Sequence, residues 1–290
     1  MSSYRAHPNA TESRAERWTR RALIALALTL LAVFLVLPLA VVFVQALSNG
    51  WRLYLAAAHS PDVLSALWLT LLVTVCAVPA NVVFGVAASW VVTRFDFHGK
   101  RLLLTLIDIP LAVSPVVAGL MYVELFGREG WFGPWLTAHH IHVIFALPGI
   151  LLATVFVTFP FVARELIPFM QAQGSDEEQA AVVLGANAWQ LFWRVTLPNI
   201  KWALLYGAIL AASRSIGEFG AVSVLSGHIR GRTTTLPLEV EMAYNEYNLT
   251  AAFTAASLLT FAALITLAIK KLLETGSGIH VRAEREKDHA

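Results

Sequence analysis

Six long apolar stretches, separated by shorter polar segments, dominate the sequence. Each stretch can cross a hydrocarbon core about 30 Å thick as a helix, since roughly 20 helical residues suffice. The predicted spans are Ala22–Ala46, Leu64–Val92, Leu102–Phe126, Ile141–Phe169, Trp202–Leu225 and Ala251–Leu272. The pattern therefore predicts an all-α polytopic membrane protein with six transmembrane helices and with both termini on one side of the membrane.

The composition agrees with this interpretation, because 57% of the 290 residues are apolar and only 14% are charged. These values exclude an ordinary soluble domain. The first apolar stretch is longer than the apolar region of a signal peptide, which has about 7–15 residues, so we expect a retained helix. The single cysteine, Cys76, lies in an apolar stretch, which excludes an intrachain disulfide and predicts a buried, unreactive thiol.

Lys and Arg side chains lie mostly on one side of the predicted spans. They are concentrated near the termini and in the loops after the second and fourth spans, whereas the opposite loops hold only Arg52, Arg128, Arg230 and Arg232. The positive-inside rule therefore places both termini in the cytoplasm. We expect a cytoplasmic tail over residues 1–21, a membrane domain over 22–272 and a second cytoplasmic tail over 273–290.

The outer loop between the fifth and sixth spans, residues 226–250, has room for a short helix at Leu236–Asn245. With Glu239 and Glu241, this helix is either a docking surface for a partner outside the membrane or a solvated cap over the spans. Three tryptophans in the outer loops are typical of the aromatic belt at a membrane interface, namely Trp51, Trp131 and Trp135.

Residues 174–200 form a polar, helix-prone segment on the cytoplasmic side, between the fourth and fifth spans. Ser175 and Glu178 have the spacing of a capping box, which predicts that a helix begins there. Gly185 stands where that helix is expected to end. The segment is therefore predicted to lie at the membrane surface as a short helix followed by a turn.

A second short helix is predicted in the same segment, with Asn187 as its cap and Pro198 at its end. Trp189, Phe192 and Trp193 form an apolar stripe along it at helical spacing. From the residues alone, the two helices either merely link two spans or serve a function at the membrane surface.

Four ionisable residues lie inside the predicted spans, where a charge costs several kcal/mol unless it faces water or a partner. They are Asp108, Glu124, Arg214 and Glu218. Arg214 and Glu218 share a helix face and are expected to pair. The pair either fixes the packing of the fifth span, where Gly217 and Gly220 allow close helix approach, or lines a permeation path.

The third span contains two prolines, Pro110 and Pro115, that are expected to interrupt its helix. Ser114 is placed to cap the half-helix that follows. Broken helices at membrane depth often line a cavity, and the N-termini of half-helices suit anions. Asp108 and Ser114 are therefore candidates for the same path.

Several common kinds of site are not predicted. The histidines of the outer loop after the third span, His139, His140 and His142, have no second cluster of ligands, so no metal site is expected. Lys100 lacks the neighbours that a P-loop requires, so we do not expect this chain to bind ATP by that route. The inner loops hold no arrangement of catalytic residues, so we do not expect an enzyme.

Residues 174–200 resemble the EAA loop of permease subunits of bacterial ABC importers, which carries Glu-Ala-Ala, then a glycine, then Ile-x-Leu-Pro. The corresponding residues, at the same spacing, are Gln179, Ala180, Ala181, Gly185, Val195, Leu197 and Pro198. Over nearly the whole chain the sequence is similar to CysW-type subunits of sulfate/thiosulfate importers, through segments such as LTLIDIPLAVSPVVAGLMY and RSIGEFGAVSVLSGHIRG. Gln179 replaces the glutamate of the loop, so any salt bridge of that glutamate is lost or reduced to a neutral hydrogen bond.

The resemblance implies a type I ABC importer permease fold and translocation of sulfate or thiosulfate across the bacterial inner membrane. The implied partners are a homologous T-type permease subunit, a dimer of a cytoplasmic ATPase that binds ATP and Mg²⁺, and a periplasmic sulfate/thiosulfate-binding protein. This chain itself is expected to bind no cofactor and no nucleic acid, and membrane lipid is expected to surround its spans.

The resemblance also implies two sets of functional residues. The residues expected to couple the chain to the ATPase are Ser175, Glu178, Gln179, Ala180, Ala181, Gly185, Trp189, Phe192, Leu197 and Pro198. The pathway or gate candidates are Arg214, Ser215, Gly217, Glu218, Asp108 and Ser114. Three alternatives stay open: the same machine for molybdate or tungstate, a self-sufficient secondary anion transporter or channel, and a membrane scaffold that transports nothing.

Overall fold

A computed structural model of the protein describes residues 14–276, and all regular structure in this part of the chain is helical. The helices are α1 (Arg14–Leu31), α2 (Leu37–Leu47), α3 (Trp51–Ala58), α4 (Pro61–Arg94), α5 (Lys100–Ala112), α6 (Pro115–Phe126), α7 (Gly133–Ala138), α8 (Leu147–Gln173), α9 (Asp176–Val183), α10 (Ala188–Leu191), α11 (Leu197–Ile216), α12 (Gly220–Leu225), α13 (Leu236–Asn245) and α14 (Leu249–Gly276). Most of the two predicted tails, 1–21 and 273–290, lies outside the described residues.

The predicted all-α, polytopic fold class is confirmed. Five continuous helical stretches are long and apolar enough to cross a membrane, and α5 with α6 makes a sixth when the bent pair is counted as one span. The five are Arg17–Leu47, Pro61–Arg94, Leu147–Gln173, Ala188–Ile216 and Leu249–Leu273. The fourth predicted span begins later than expected, at Leu147, because the preceding residues are irregular and include Phe145 at a φ of 56°.

The third span is broken, as its prolines predict. The axes of α5 and α6 differ by 107°, and Val113 and Ser114 between them have extended backbones. Pro115 begins α6, and a residue before proline is disfavoured in the helical conformation, which explains the break. Pro110 lies within α5 and does not end it. The predicted side-chain cap is wrong, since the Ser114 hydroxyl makes no capping hydrogen bond.

The fifth span differs from its prediction at both ends. Pro198 does not end a helix, because the chain passes from α10 through a π-helical turn at Phe192–Thr196 into α11 without interruption. In that turn the Leu197 N–H donates to the carbonyl of Phe192, so the wider turn leads directly to a proline that has no N–H to donate. At the other end α11 stops at Ile216, and the residues up to Leu225 form the separate helix α12.

Helices α4 and α8 form the centre of the bundle, and α11 packs against both. A Cβ added at Gly85 of α4 would lie 2.5 Å from Val162 Cγ1 of α8, so the two backbones are close because Gly85 has no side chain. Two buried polar contacts tie the same helices: the Asn81 amide donates to Thr158 Oγ1 at 2.6 Å, and the hydroxyls of Thr74 and Ser215 lie 3.1 Å apart. The core is therefore fixed by small residues and hydroxyl pairs as well as by apolar packing.

The first and last spans are held together at their outer halves. Helix α14 packs on α2 and α3. The Asn49 side chain donates to Thr250 Oγ1 at 2.8 Å, and the hydroxyls of Tyr54 and Ser257 lie 3.2 Å apart. Contacts this far apart in sequence close the bundle.

Part of the apolar surface is not covered by the chain itself. Every side chain of Arg17–Leu31 is exposed, so α1 stands away from the other helices. Cys76 is also exposed, which contradicts the expected buried thiol. The reason is that Cys76 lies on the side of α4 that faces away from α8 and α11, whereas its neighbours Val73, Thr74 and Ala77 are buried.

Candidate coupling surface and membrane pathway

The predicted helix at the cytoplasmic side is α9, but it does not begin with the expected capping box. Ser175 precedes α9 with a φ of −127° and a ψ of 9°, outside the extended conformation of a normal capping residue, and its hydroxyl caps nothing. That hydroxyl instead accepts a hydrogen bond from the Gln179 amide at 2.8 Å. Gln179, which replaces the glutamate of the EAA pattern, is therefore exposed and bonded within its own helix.

Glu178 points away from the start of α9 and into the bundle. Its carboxylate accepts hydrogen bonds from Arg94 Nε at 2.6 Å, Arg94 Nη2 at 3.2 Å and the Thr196 hydroxyl at 2.9 Å. The side chains of Arg94 and Glu178 are each only 12% exposed. Arg94 also donates to the carbonyl of Met170 at 3.4 Å. One carboxylate and its arginine partner therefore join α9 to the end of α4, to the end of α8 and to the start of the fifth span.

Gly185 ends α9 as predicted, through a complete Schellman motif. Its N–H donates to the carbonyl of Val182 at 2.9 Å, and the N–H of Ala186 donates to the carbonyl of Ala181 at 3.0 Å. Gly185 has a φ of +88°, which glycine adopts without steric cost. The turn between α9 and α10 is therefore fixed by backbone hydrogen bonds.

The predicted cap of the second helix is confirmed. Asn187 Oδ1 accepts from the N–H of Gln190 at 2.8 Å, and Gln190 Oε1 accepts from the N–H of Asn187 at 3.1 Å, which completes a reciprocal capping box. The aromatic stripe of this helix is divided between two environments. The ring of Phe192 packs on Trp90 of α4 at 5.5 Å, whereas Trp189 is 72% exposed.

The remaining coupling candidates are divided in the same way. Leu197 packs against the core between α8 and α11, Ala181 is half-buried, and Ala180 and Pro198 are exposed. Large apolar side chains are exposed at the end of α9 and along the following helix, where the rings of Trp189 and Trp193 lie 5.5 Å apart. We call Val182, Val183, Leu184, Trp189 and Trp193 the coupling surface; Val183 and Leu184 are 87% and 88% exposed.

Arg214 and Glu218 pair as predicted, across the break between α11 and α12. Arg214 Nη2 lies 2.9 Å from Glu218 Oε2, and Glu218 Oε1 accepts from the N–H of Ala221 at 3.0 Å. Glu218 is buried, whereas the Arg214 side chain is 35% exposed. Glu218 therefore fixes the start of α12, and the exposed part of the pair belongs to Arg214.

The close helix approach expected at Gly217 and Gly220 occurs at only one of them. A Cβ on Gly220 would lie 3.0 Å from Pro115 Cβ of α6, whereas a Cβ on Gly217 would meet nothing closer than 3.9 Å. Gly119 of α6 provides a second close approach, since its Cβ would lie 2.9 Å from the carbonyl oxygen of Ala221. The breaks in the third and fifth spans therefore pack against each other. Ser215 is buried there, in the contact with Thr74 described above.

Asp108 has a partner that the sequence analysis did not identify. Arg164 of α8 donates from Nε to Asp108 Oδ1 at 2.9 Å, and the two side chains are 59% and 50% exposed, respectively. Ser114, further along the same broken span, is exposed. The pathway candidates thus lie in two groups, one around Arg214 and Glu218 and one around Asp108.

The outer loop contains the predicted helix, α13, with the predicted bounds Leu236–Asn245. Arg230 organises it by donating two hydrogen bonds to Glu246, both at 2.8 Å, and by donating to Glu239 at 3.1 Å and 3.3 Å. Arg230 also lies 3.9 Å from Asp62 at the start of α4. Burial raises the pKa of Glu239, whereas the Arg230 hydrogen bonds lower the pKa of Glu246. Arg230 therefore links the loop to both ends of α13 and to the start of α4, in addition to the contact of the buried Leu236, whose N–H donates to Thr70 Oγ1 at 2.8 Å.

Between residues 14 and 276, no group of three or more His, Cys, Asp or Glu side chains is arranged to hold a metal ion. Among the three neighbouring histidines, His139 packs on Trp135, with their rings 4.5 Å apart. The tryptophans expected at the outer interface are all exposed: Trp51, Trp131 and Trp135.

Comparisons with known proteins agree with the architecture. The family model described as "Binding-protein-dependent transport system inner membrane component" matches residues 81–276. The chain is similar to the "Sulfate transport system permease protein CysW" of Escherichia coli (strain K12), with 50% identity over 279 residues that cover 96% of each chain. It is also similar to the "Sulfate transport system permease protein CysT" of the same organism, with 36% identity over 255 residues that cover 88% of this chain and 92% of that one.

One solved structure shows the same fold at low sequence identity. A chain in the crystal structure of a bacterial alginate ABC transporter, in complex with a periplasmic protein bound to alginate pentasaccharide, matches with a TM-score of 0.73 and 16% identity. The match covers 89% of this chain and 93% of the other. At this identity the likeness shows the fold alone.

Proposed function

Because the chain belongs to the family of binding-protein-dependent transport system inner membrane components, we propose that it is a permease subunit of an ATP-driven sulfate importer. The relatives at 50% and 36% identity over most of the chain are both named as sulfate transport permeases, which favours sulfate over molybdate or tungstate. A dianion does not partition into hydrocarbon, so the subunit has to offer it a wet path lined by hydrogen-bond donors. Thiosulfate has similar charge and size and is proposed as a second substrate.

The observation that carries the energy-coupling part of the proposal is the coupling surface. Large apolar side chains exposed on two helices whose connecting turn is fixed by backbone hydrogen bonds are typical of an interaction site, and an amphipathic helix that enters a groove is a common mode of recognition. We propose that a cytoplasmic ATPase, present as a dimer, receives this surface and binds ATP and Mg²⁺. Gln179 supplies an amide there in place of a carboxylate.

Movement of the coupling surface would reach the spans through Glu178. The hydrogen bonds of Glu178 to Arg94 and Thr196 connect α9 to the second and fifth spans, and Phe192 adds an apolar contact with Trp90. Because these contacts are largely buried and short, α9 cannot shift far without moving the ends of α4 and α11. The ATPase cycle would thereby alternate the access of the path.

The proposed assembly contains two more kinds of subunit. A homologous T-type permease would form the other half of the path, in line with the similarity of this chain to both kinds of sulfate permease. A periplasmic sulfate-binding protein would deliver the anion to the outer side, where the end of α13 and the residues after it, 244–248, are exposed. We propose that this assembly lies in the inner membrane of a bacterium, with both termini of the chain in the cytoplasm.

The test is purification of the chain from native membranes, followed by identification of the proteins that accompany it and reconstitution in liposomes. We expect an ATPase, a second permease and ATP-dependent uptake of labelled sulfate, with excess thiosulfate as a competitor. If excess molybdate blocks uptake and excess sulfate does not, sulfate is not the substrate. Flux driven by an ion gradient through the purified single chain would instead support a secondary transporter.

A further inference from the structure

A polar stripe runs along the cytoplasmic half of α5. Arg101, Thr105 and Asp108 recur at the spacing of one helix face, and Arg101 and Thr105 are exposed. Asp108 meets Arg164 of α8, which is itself followed on the same face by the exposed Gln171. The rest of the exposed surface of α5 consists mainly of large apolar side chains, so the stripe is a distinct feature of this helix.

The stripe reaches into the membrane. Asp108 lies about 12 Å along α5 from Lys100, and Arg164 lies about 14 Å along α8 from Gln173, at a rise of about 1.5 Å per residue. A long arginine side chain can reach the headgroup region from such a depth, but the short Asp108 side chain cannot. A half-exposed ion pair at this depth is costly in hydrocarbon, so water or another polar surface has to cover it.

The pair leaves most of the Arg164 guanidinium available. Only Nε donates to Asp108, and Nη1 and Nη2 donate to no acceptor in the described part of the chain. Those groups match the oxygens of a tetrahedral dianion, which arginine binds through paired N–H donors. Asp108 at the same time cancels the charge of the arginine, so an anion held there would be bound weakly.

From these observations we propose that Arg164, with Asp108 as its counter-charge, is a transit site for a tetrahedral oxyanion dianion on the cytoplasmic side of the path. A transport path needs binding that is favourable enough for entry and weak enough for release, and a neutralised arginine meets both conditions. Thr105 and Arg101 continue the polar stripe from this site to the cytoplasm. The proposal rests on the proposed function and names a site within its path.

The first test asks whether the stripe is wet. The experiment uses the complete importer. In this chain, Cys76→Ser removes its single thiol, and Thr105→Cys places a new thiol on the stripe. We expect a membrane-impermeant methanethiosulfonate reagent, added from the cytoplasmic side, to label Thr105→Cys at least tenfold faster than Val83→Cys, the matched control on an exposed apolar face of α4. Equal, slow labelling of the two would show that the second permease or lipid covers the stripe and would overturn the proposal.

The second test asks whether the anion contacts Arg164. Sulfate is expected to slow the labelling of Thr105→Cys, and Arg164→Gln should raise the sulfate concentration needed for half-protection at least tenfold. The control is Lys100→Gln, which removes a positive charge at the start of α5, where Lys100 pairs with Asp96. This variant should change the sulfate concentration for half-protection less than twofold. Protection that is equally strong with and without Arg164 would overturn the site.

Two further variants separate anion binding from structural support. Asp108→Asn should lower the half-protection concentration several-fold, because the arginine loses its counter-charge, whereas a purely structural pair would make Asp108→Asn and Arg164→Gln equivalent. If the Arg164→Gln importer does not assemble, Arg164→Lys is compared with the wild type instead. We expect sulfate to protect Arg164→Lys more weakly, and unchanged protection would contradict the site. Protection from labelling is measured without ATP turnover, so it does not depend on uptake. Failure of the wild-type importer to take up sulfate would therefore refute the proposed function but not the anion site. In that case molybdate can replace sulfate as the protecting anion.

Discussion

Arg94 at the end of α4 and Glu178 in α9 form a bidentate ion pair, with Nε–Oε2 and Nη2–Oε1 distances of 2.6 Å and 3.2 Å. The two residues are 84 positions apart in the sequence. Both side chains are largely buried, which is unusual for charged groups at the edge of a membrane domain. The pair fixes the helix that carries the coupling surface to a membrane span, so it is a direct target for testing how the two communicate.

Glu178→Gln should weaken this link. The variant leaves a buried arginine with a neutral partner, and we expect the complex to lose about 1–3 kcal/mol of unfolding free energy. Sulfate uptake per ATP hydrolysed should fall several-fold. The measurement is thermal unfolding of the purified complex together with uptake and ATP hydrolysis in the same liposomes.

The matched control is Glu177→Gln, which changes the same charge on an exposed side chain whose partner is Asn199. Its effect on stability is expected to stay within about 0.5 kcal/mol. Equal effects of the two variants would show that the charge of α9, and not the Arg94 contact, matters.

Two substitutions at Gly185 distinguish the effect of backbone strain from the effect of an added charge. The positive φ penalises any side chain by about 1–2 kcal/mol, although nothing lies within 4 Å of an added Cβ. Asparagine tolerates this conformation better than most residues, so Gly185→Asn should retain most uptake. Gly185→Asp has nearly the same shape but puts a charge beside the coupling surface, and it should abolish uptake while the spans stay inserted.

The readout for these two variants is labelled sulfate uptake with co-purification of the ATPase. Normal uptake by Gly185→Asp would remove the proposed coupling role of this turn. Loss of uptake in both variants would mean that the backbone conformation is what matters.

Arg214 and Glu218 are best tested as a pair. Arg214→Ala leaves the buried Glu218 carboxylate without its cation, and we expect a loss of about 2 kcal/mol, less than for a fully buried pair because Arg214 is partly exposed. Adding Glu218→Gln should restore most of that stability, since glutamine still accepts from the N–H of Ala221. Unfolding of the four variants forms a double-mutant cycle.

Uptake by the stable double variant then decides between the two interpretations of the pair. Flux near the wild-type level would show that Arg214 serves packing alone. Flux reduced tenfold or more, with ATPase binding intact, would support a place in the anion path.

Gly85 should be intolerant of alanine. The added Cβ would lie 2.5 Å from Val162 Cγ1 and 2.7 Å from Val162 Cβ, so α4 and α8 would have to separate at an estimated cost of about 1–3 kcal/mol. Gly217→Ala is the comparison, because its Cβ would meet only the Ser213 carbonyl at 3.9 Å. Thermal unfolding should place Gly85→Ala well below Gly217→Ala, and the reverse order would contradict the packing described above.

The outer loop should respond to pH in two opposite steps. The raised pKa of Glu239 means that its protonation, as pH falls through that pKa, favours the folded loop. The lowered pKa of Glu246 contributes stability that is present above its unfolded pKa and is lost as pH falls through its folded pKa. Stability of the loop should therefore peak at mildly acid pH and then decline.

Hydrogen exchange of residues 226–250 as a function of pH measures this behaviour. Glu239→Gln should remove the rise, and Glu246→Gln should remove the decline. A profile that neither variant changes would show that Arg230 does not control the loop.

Local signals in the sequence account for much of the fold. The number of apolar stretches, the turn at Gly185, the cap at Asn187 and the bounds of α13 follow from periodicity, turn chemistry and capping, whereas the ends of the fifth span do not. Two predictions from local signals were wrong. Ser175 has the wrong backbone conformation for a cap, and a π-helical turn continues the helix past Pro198.

The paired charges could not be predicted in this way. Arg94 lies 84 positions from Glu178, and Arg164 lies 56 positions from Asp108, so no spacing rule links them. Each pair depends on which spans pack together and in which rotation. A basic residue near the end of one span and an unpaired acid in another were the only available indications, and they do not identify partners.

The contacts of Asn49 with Thr250 and of Tyr54 with Ser257 have a consequence for biosynthesis. The chain reaches Thr250 about 200 residues after Asn49, which takes roughly 10–40 s at translation rates of 5–20 residues per second. During that interval α2 has none of its final covering by α14. The newly inserted first span must therefore persist alone in lipid, and a chain that terminates early would expose it to membrane quality-control proteases.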